Sequence, residues 1–346
     1  MCQISIYSHS IKFKKMKRKI LIAIEEFAKN SDEYLNLLDE KKFELIWNRS
    51  GKRVDYNSNS KLFEDVDYII AGLEKYPNDF FDEFRGIKAI SRVGVGVDNI
   101  DLAAAKMNGV KVFITTDKPS VAVAELCISN MIALLRSTFV MNQSLKSGEW
   151  DVIQGRNIRN CTVGVIGLGS IGKQVVKRLK PFEPNIVGYA RTWDKSFAQK
   201  YSVERFKNLD EMASISDILT IHLPLEDKTE KIIDNNIIKE LQKDSIVINT
   251  SRAGVLDNRS LAKALRERRI LGAAIDVFDE ERKISPYDEL DNVILTPHVG
   301  SHTAGTRIAM EKSAINNIIS YDSLINPSGN DNIADLLTHI EKYRAI

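Results

Sequence analysis

The sequence predicts an α/β protein of two lobes, each built on a parallel sheet with helices on both faces. Three observations predict it. Short runs rich in β-branched residues alternate with helical runs along most of the 346 residues, the pattern of parallel strands covered by helices. That length is enough for about two domains, each with its own core. A glycine-rich handover from strand to helix, "TVGVIGLGSIGKQVV" (Thr162 to Val176), opens the second series of strands.

In the first third, "KILIAI", "FELIWN", "DYIIAGL", "KAISRVGVG" and "VKVFIT" read as strands, separated by helical stretches such as "SDEYLNLLDEK" and "DLAAAKMNG". A long helix from about Val121 to Leu145 follows, then "SGEW" and a loop. The second series is "TVGVIG", "NIVGYA", "ILTIHL", "SIVINT", "GAAIDVF" and "VILTPH". The late segment "TRIAMEKSAINNIISYDSLI" is helical, and "NPSGNDN" interrupts it before a short final helix. Its amphipathic spacing needs a partner, and the first lobe is the available one. The expected division is therefore one lobe over 16–120 completed by 309–346, an inserted lobe over 121–308 with a cleft between the two, and a disordered extension over 1–15.

Composition excludes several function classes. Apolar residues make up 43%, charged residues 28%, and the net charge is +2, the profile of a globular protein without the basic excess that nucleic-acid binding requires. The densest late basic cluster, "RERR" (Arg266 to Arg269), lies in the helical run "SLAKALRERRI" and reads as a solvated helix face. Cys2, Cys127 and Cys161 show neither CxxC nor Cys/His spacing, so no metal site and no disulfide framework is expected. A reducing compartment, the cytoplasm, fits. No apolar run reaches the roughly 18 residues of a membrane helix, and "MCQISIYSHSIKFKKMKRK" lacks the apolar core of a secretory signal.

In the glycine-rich stretch the pattern Gly167, Gly169, Gly172 is complete, β-branched residues precede it, and "KQVVKRLK" continues as an amphipathic helix until Pro181. That context distinguishes a dinucleotide-binding turn from a plain tight turn. Gly167 permits the turn, Gly169 the close approach of a pyrophosphate, and Gly172 the packing of helix on strand. The helix start at Ser170 and Ile171 supplies N–H groups and partial positive charge to the phosphates. The next strand of such a unit ordinarily ends, about 20 positions on, in an acid that holds the ribose hydroxyls. Here "NIVGYARTW" ends in Ala190, Arg191 and Thr192. An acid would repel a 2′-phosphate and this trio would receive it, so NADP(H) is expected over NAD(H), with Arg191 the main contact and Thr192 or Lys195 assisting. The alternative is that Arg191 only stacks on adenine.

Short-chain dehydrogenases need Tyr-x-x-x-Lys, and none of the ten tyrosines has a lysine four positions later. Methyltransferases also use glycine-rich loops, but no other stretch points to one. Four further stretches, "SRVGVGVDNIDLAAAKMNGVKV", "IHLPLEDKTEKII", "NTSRAGVLDNRSLAKAL" and "GAAIDVFDEE" with "NVILTPHVGSHT", point one way. With the glycine motif they resemble, in the right order, the D-isomer-specific 2-hydroxyacid dehydrogenases, from about residue 65 to 310. The first two-thirds look most like phosphoglycerate-dehydrogenase-type members. The resemblance implies a flavodoxin-like substrate domain, an inserted Rossmann NAD(P)-binding domain, and a homodimer formed through the cofactor domain and the long helix beside it.

Reducing a 2-keto acid requires a hydride from nicotinamide, a proton for the new alkoxide and a cation for the carbonyl and carboxylate. Arg252, after "SIVINTS", fits the cationic part because its planar fork pairs with a carboxylate through two bonds; taken alone it would read as a surface ion pair. His298, after a strand and Pro297, is the best proton donor among five histidines. Glu281 lies 29 residues after Arg252 and 17 before His298; bonded to the imidazole it would raise the pKa and fix the ring. By resemblance these are the family's Arg, Glu and His triad. The resemblance further implies that Asn249, Thr250, Ser251, Arg252 and Asp276 line the nicotinamide end, Asp276 through the carboxamide. His222 and Pro224 of "HLPL", with His298 and Gly300, complete the cofactor contacts; for His222 a core role is the competing reading. The stretch Gly94 to Gly96 would offer backbone N–H groups to the substrate carboxylate, Val95 and Gly96 foremost, against the plainer reading of a tight turn.

The chain departs from the family where Arg282 follows Glu281 in place of proline, a cation that would compete with His298 for the carboxylate. "TTDKPSVAVAE" likewise replaces the Asn-Thr start common in that loop. The tail after the second hinge is expected to be too short for the regulatory domain of some phosphoglycerate dehydrogenases. Lys75 and Arg92 would hold a phosphate and so suit 3-phosphohydroxypyruvate, or else are solvated surface charges. The expected NADP(H) preference suits a reductase of glyoxylate, hydroxypyruvate or a larger keto acid. A reading of another class is a dinucleotide-sensing, partner-binding protein; the complete triad favours the enzyme.

Overall fold

The computed structural model describes residues 17–115, 119–280, 283–327 and 332–343. The extension read over 1–15 and the pair Glu281 and Arg282 lie outside the described residues. The chain divides into two compact units, residues 1–115 with 310–346 and residues 116–309.

In the first unit β1 (Arg18–Ile22), β2 (Phe43–Trp47), β3 (Tyr68–Ala71), β4 (Ala89–Arg92) and β5 (Lys111–Phe113) form one parallel sheet in the order β2-β1-β3-β4-β5. Ile20, Leu21, Ile22, Ile69, Ile70 and Ile90 are fully buried, which is why these strands read as continuous apolar runs: both faces of the sheet are covered. On one face α1 (Asn78–Glu83) and α2 (Leu102–Met107) bring Phe80, Phe81, Ala104 and Ala105 against Leu21, Ile69 and Ile90. Asp101 starts α2 by accepting the Ala104 N–H at 2.9 Å, an N-cap visible in the sequence. The expected helix over "SDEYLNLLDEK" is not formed; a single 3-10 turn, Glu33–Leu37, takes its place. Only Tyr34 and Leu38 of that stretch are buried, so it has no continuous apolar face to hold a longer helix.

The second unit opens with α3 (Ser120–Leu135) and α4 (Thr138–Lys146) where one helix was expected. Ser137, at φ +47°, breaks the run and turns its axis by 63°. Then come β6 (Thr162–Ile166), α5 (Ser170–Leu179), β7 (Asn185–Tyr189), α6 (Lys195–Tyr201), β8 (Val203–Arg205), α7 (Leu209–Ile215), β9 (Ile218–Ile221), α8 (Asn235–Glu240), β10 (Ile246–Asn249), α9 (Asn258–Arg266), β11 (Gly272–Ile275) and β12 (Val293–Leu295). All seven strands are parallel, in the order β12-β11-β10-β9-β6-β7-β8. The three residues of β8 gave no signal in the sequence. Residues of α3, α5 and α6 pack on one face and those of α7, α8 and α9 on the other. The order reverses between β6 and β9, and in such a sheet ligands bind beyond the carboxyl ends of the strands at this point.

Helix α10 (Ala304–Ile325) and α11 (Ile333–Tyr343) end the described chain. Within the first unit Asp322 accepts the Tyr68 hydroxyl at 2.8 Å and pairs with Arg18 at 2.5 Å. Glu311 accepts the Ala28 N–H at 3.0 Å and the Tyr34 hydroxyl. Asn317 donates to Ser91 at 3.2 Å and meets His339 at 3.0 Å. These buried polar groups find partners far away in sequence, as burial requires. Among the described residues no single helix is long and apolar enough to cross a membrane.

Candidate active site

The glycine-rich turn leaves the carboxyl end of β6 at the reversal. Gly167 has φ +93° and a Cβ there would lie 2.6 Å from the His222 carbonyl oxygen, so neither conformation nor space admits a side chain. A Cβ on Gly172 would lie 2.0 Å from the Gly167 oxygen, which holds α5 directly against the turn. Gly169 differs: among the described residues nothing lies within 4 Å of its Cβ position. Gly169 and Ser170 are exposed, Ile171 half-buried, and Gly169 caps α5 with no side-chain bond to the first-turn N–H groups. An opening beside uncapped helix amides at a switch point fits a pyrophosphate.

At the end of β7, Ala190 is half-buried, Thr192 exposed, and Arg191 reaches out to Glu226 at 3.2 Å. Glu226, in the loop after β9, is a surface partner of Arg191 that sequence spacing did not reveal. Asp194 accepts from Lys173 Nζ at 2.6 Å and from the Phe197 N–H at 3.0 Å. The Lys173 bond and that N–H hold its carboxyl well below the usual carboxylate range. It caps α6.

His222 follows β9 beside Gly167 and donates its backbone N–H to Ile166 at 2.7 Å. Its Nε2 meets Thr220 Oγ1 at 3.0 Å, and its Nδ1 is buried with no partner among the described residues. Burial pushes the imidazole pKa down to about 3, so the ring is neutral in the physiological range. Pro224 is exposed, and its carbonyl accepts the Thr229 hydroxyl at 2.6 Å.

After β10 the Asn249 side chain shapes the turn, accepting from the Ser251 N–H at 3.0 Å and hydroxyl at 2.8 Å and donating to the Arg252 carbonyl at 2.9 Å. Thr250 is buried with its hydroxyl 3.0 Å from Cys127 Sγ. Burial raises that thiol to about 12. Half-buried Arg252 donates from Nη1 to the Ser251 carbonyl at 2.8 Å.

His298, exposed three residues beyond β12, has φ +55°. A non-glycine residue in that region persists only when its surroundings impose it, and such strain concentrates at functional sites. Asp276, fully buried at the end of β11, accepts from the Thr296 hydroxyl at 2.6 Å and from the N–H groups of Val299 at 2.8 Å and Gly300 at 2.9 Å. The glycine turn, Arg252 and His298 therefore all stand beyond carboxyl ends of strands in one sheet. Thr296 and Glu226 are the participants the sequence did not disclose.

In the first unit the substrate stretch needs one correction. The Gly94 N–H is already engaged within the unit: it donates to Thr115 Oγ1 at 2.9 Å. Val95 is 41% exposed and Gly96 half-buried, so these two remain on the surface. Lys75 is exposed, whereas Arg92, read from sequence as either a phosphate ligand or a solvated charge, is buried. Its guanidinium lies where a Gly94 Cβ would be, 1.4 Å from Nη1. Glu74, buried nearby, accepts the Gly72 N–H at 2.6 Å; burial raises its pKa and the charges of Arg53 and Arg92 oppose the rise. In the second unit the basic cluster at and just beyond the end of α9 is largely solvated, with Arg266 and Arg268 exposed, Arg268 on Asp291 at 2.5 Å and half-buried Arg269 on the Ile238 carbonyl at 2.8 Å.

Residues 128–300 match the model of the "D-isomer specific 2-hydroxyacid dehydrogenase, NAD binding domain". The chain is 42% identical over 256 residues to the D-3-phosphoglycerate dehydrogenase of Methanocaldococcus jannaschii, a match covering 71% of this chain and 49% of that enzyme, so it spans about half the length of that relative. It is 32% identical to the glyoxylate reductase of Pyrococcus horikoshii over 82% of this chain and 87% of that one. The solved NADPH-dependent glyoxylate/hydroxypyruvate reductase of Sinorhizobium meliloti, in complex with NADP and malonate, superposes with TM-score 0.78 at 27% identity, covering 89% of this chain and 94% of that chain. The chain belongs to the D-isomer-specific 2-hydroxyacid dehydrogenases, NAD(P)-dependent oxidoreductases acting on the CH–OH group of 2-hydroxy acids.

Proposed function

We propose that the protein reduces a short, unphosphorylated 2-keto acid of the glyoxylate or hydroxypyruvate type with NADPH, and oxidises the D-2-hydroxy acid in reverse. The observation carrying this reading is that the glycine turn, Arg252 and His298 share the carboxyl edge of one parallel sheet. Gly167, Gly169 and Gly172 would hold the dinucleotide, which when bound would supply hydride chemistry at C2. Arg252 pairs with the carboxylate and carbonyl oxygen, and His298 gives its proton to the oxygen that becomes the hydroxyl. Glu281, the sequence-level partner of His298, lies outside the described residues. Val95 and Gly96 are the proposed backbone contacts for the carboxylate.

NADP(H) is the proposed cofactor because Arg191 and Thr192 follow β7 directly after Ala190, where an acid would otherwise stand. The Arg191–Glu226 pair does not forbid it: Arg191 is 80% exposed, exposed pairs contribute about 0–1 kcal/mol, and a 2′-phosphate carries more charge than one carboxylate. The buried Arg92 with Glu74 beside it favours an unphosphorylated substrate over 3-phosphohydroxypyruvate. Proposed too are a homodimer, for which Trp150 and Val152 stand 83% and 84% exposed beyond α4, and a cytoplasmic location, which suits the free thiols Cys127 and Cys161. The decisive experiment is NADPH oxidation with a panel of 2-keto acids. Activity with glyoxylate or hydroxypyruvate above that with 3-phosphohydroxypyruvate supports the reading; no activity with any of them overturns it.

A further inference from the structure

We propose that Asp276 and Thr296 are positioning residues that hold the His298 turn in place from beneath. The proposal rests on the reading of His298 as the proton donor and adds the device that aims it. The His298 backbone sits in the left-handed region at φ +55°, which costs an L residue some stability and is held by the surrounding structure. Its turn is tied on both sides to one carboxylate. Thr296 Oγ1 donates to Asp276 Oδ1 at 2.6 Å from the side before His298. From the side after it, the Val299 N–H donates to Oδ1 at 2.8 Å and the Gly300 N–H to Oδ2 at 2.9 Å. The Thr296 N–H meets the Ile275 carbonyl at 3.0 Å and the His298 N–H the Thr296 carbonyl at 3.0 Å, closing the turn.

Bonds of N–H and O–H donors to a buried carboxylate are the strong kind, and Asp276 is fully buried. Gly300 belongs to the same device, since a Cβ there would come 3.1 Å from Asp276 Oδ2 and 3.3 Å from Val123. A carboxylate has about four acceptor positions. Three donors from the turn occupy this one and it has no exposed surface, so the expected cofactor contact of Asp276 is secondary to its hold on the turn.

The test uses Thr296→Val, which removes the hydroxyl at constant shape, Thr296→Ser, which restores it, and Asp276→Asn, which removes the charge. Amide hydrogen exchange on the cofactor-free protein is read at Val299 and Gly300. Thr296→Val and Asp276→Asn should each speed it about tenfold or more, with Thr296→Ser close to wild type. In turnover Thr296→Val should lower kcat about tenfold while the Kd for NADPH stays within about twofold of wild type, and Thr296→Ser should recover kcat. Wild-type exchange in Thr296→Val or Asp276→Asn overturns the proposal, as does weakened NADPH binding with kcat intact in Thr296→Val. Because exchange is read without cofactor or substrate, a wild type that reduces no keto acid would count against the proposed function and leave the hold on the turn to be decided by exchange.

Discussion

Gly169 and Gly172 stand three residues apart, and alanine should affect them in opposite ways. At Gly172 the new Cβ would sit 2.0 Å from the Gly167 oxygen and 3.1 Å from its carbonyl carbon. Both atoms are backbone, so α5 must retreat by more than 1 Å to reach the 3.4 Å of ordinary contact. Overpacking of this kind costs about 1–3 kcal/mol, and more where backbone must move. At Gly169 nothing among the described residues lies within 4 Å, and φ −77° with ψ −160° is open to alanine. The reduced freedom of the unfolded chain and the poorer helix cap oppose one another, which keeps stability within about 1 kcal/mol of wild type. That opening is where the pyrophosphate is proposed to lie, so the methyl group should weaken NADPH binding by about tenfold, or about 1.4 kcal/mol. Urea unfolding followed by tryptophan fluorescence, with an NADPH titration on each variant, separates the two effects. A Gly169→Ala protein that binds NADPH like wild type would refute the cradle, and a Gly172→Ala protein as stable as wild type would refute the packing argument.

Arg252→Ala and His298→Ala should each lower kcat/KM by several orders of magnitude with the far-ultraviolet circular dichroism unchanged; wild-type-like turnover in either removes that residue from the chemistry. Arg191→Ala should reduce the ratio of kcat/KM for NADPH to that for NADH by about tenfold or more, the worth of a lost charge-assisted contact, whereas an unchanged ratio would leave Arg191 no part in cofactor choice. The buried His222 has its pKa depressed to about 3, against about 6.5 in the unfolded chain. Between those values the unfolded state binds the extra proton, so stability is full above pH 6.5 and falls on acidification by up to about 1.4 kcal/mol per pH unit. His222→Asn should remove that part of the acid sensitivity in urea unfolding between neutral pH and pH 4.5, and identical slopes for both proteins would contradict the burial argument.

The fold class was legible because parallel strands buried on both faces are nearly continuous apolar runs, as in Ile20 to Ile22 and Ile246 to Ile248. The glycine turn was legible because sterics at Gly167 and Gly172 leave no choice of residue. What escaped has equally physical reasons. Strand β8 is three residues long with two exposed, too short for a period to show. The break at Ser137 carries neither glycine nor proline and depends on packing around it. The helix expected near Tyr34 had the right spacing but too little apolar surface to bury. Glu226 meets Arg191 across 35 residues and Thr296 meets Asp276 across 20, and such pairings exist only once the strands are laid side by side.

The first unit is discontinuous in the chain, since residues 310–346 return to it after the whole of 116–309. Domains generally fold as units while the chain emerges from the ribosome, so the order of synthesis and the order of completion differ here. The segment carrying the glycine turn has all its parts before translation ends, whereas Tyr68 and Arg18 wait for Asp322, and Tyr34 for Glu311. Once residues up to 309 have left the ribosome, the nucleotide half has all its parts, while the N-terminal sheet still lacks its last helices.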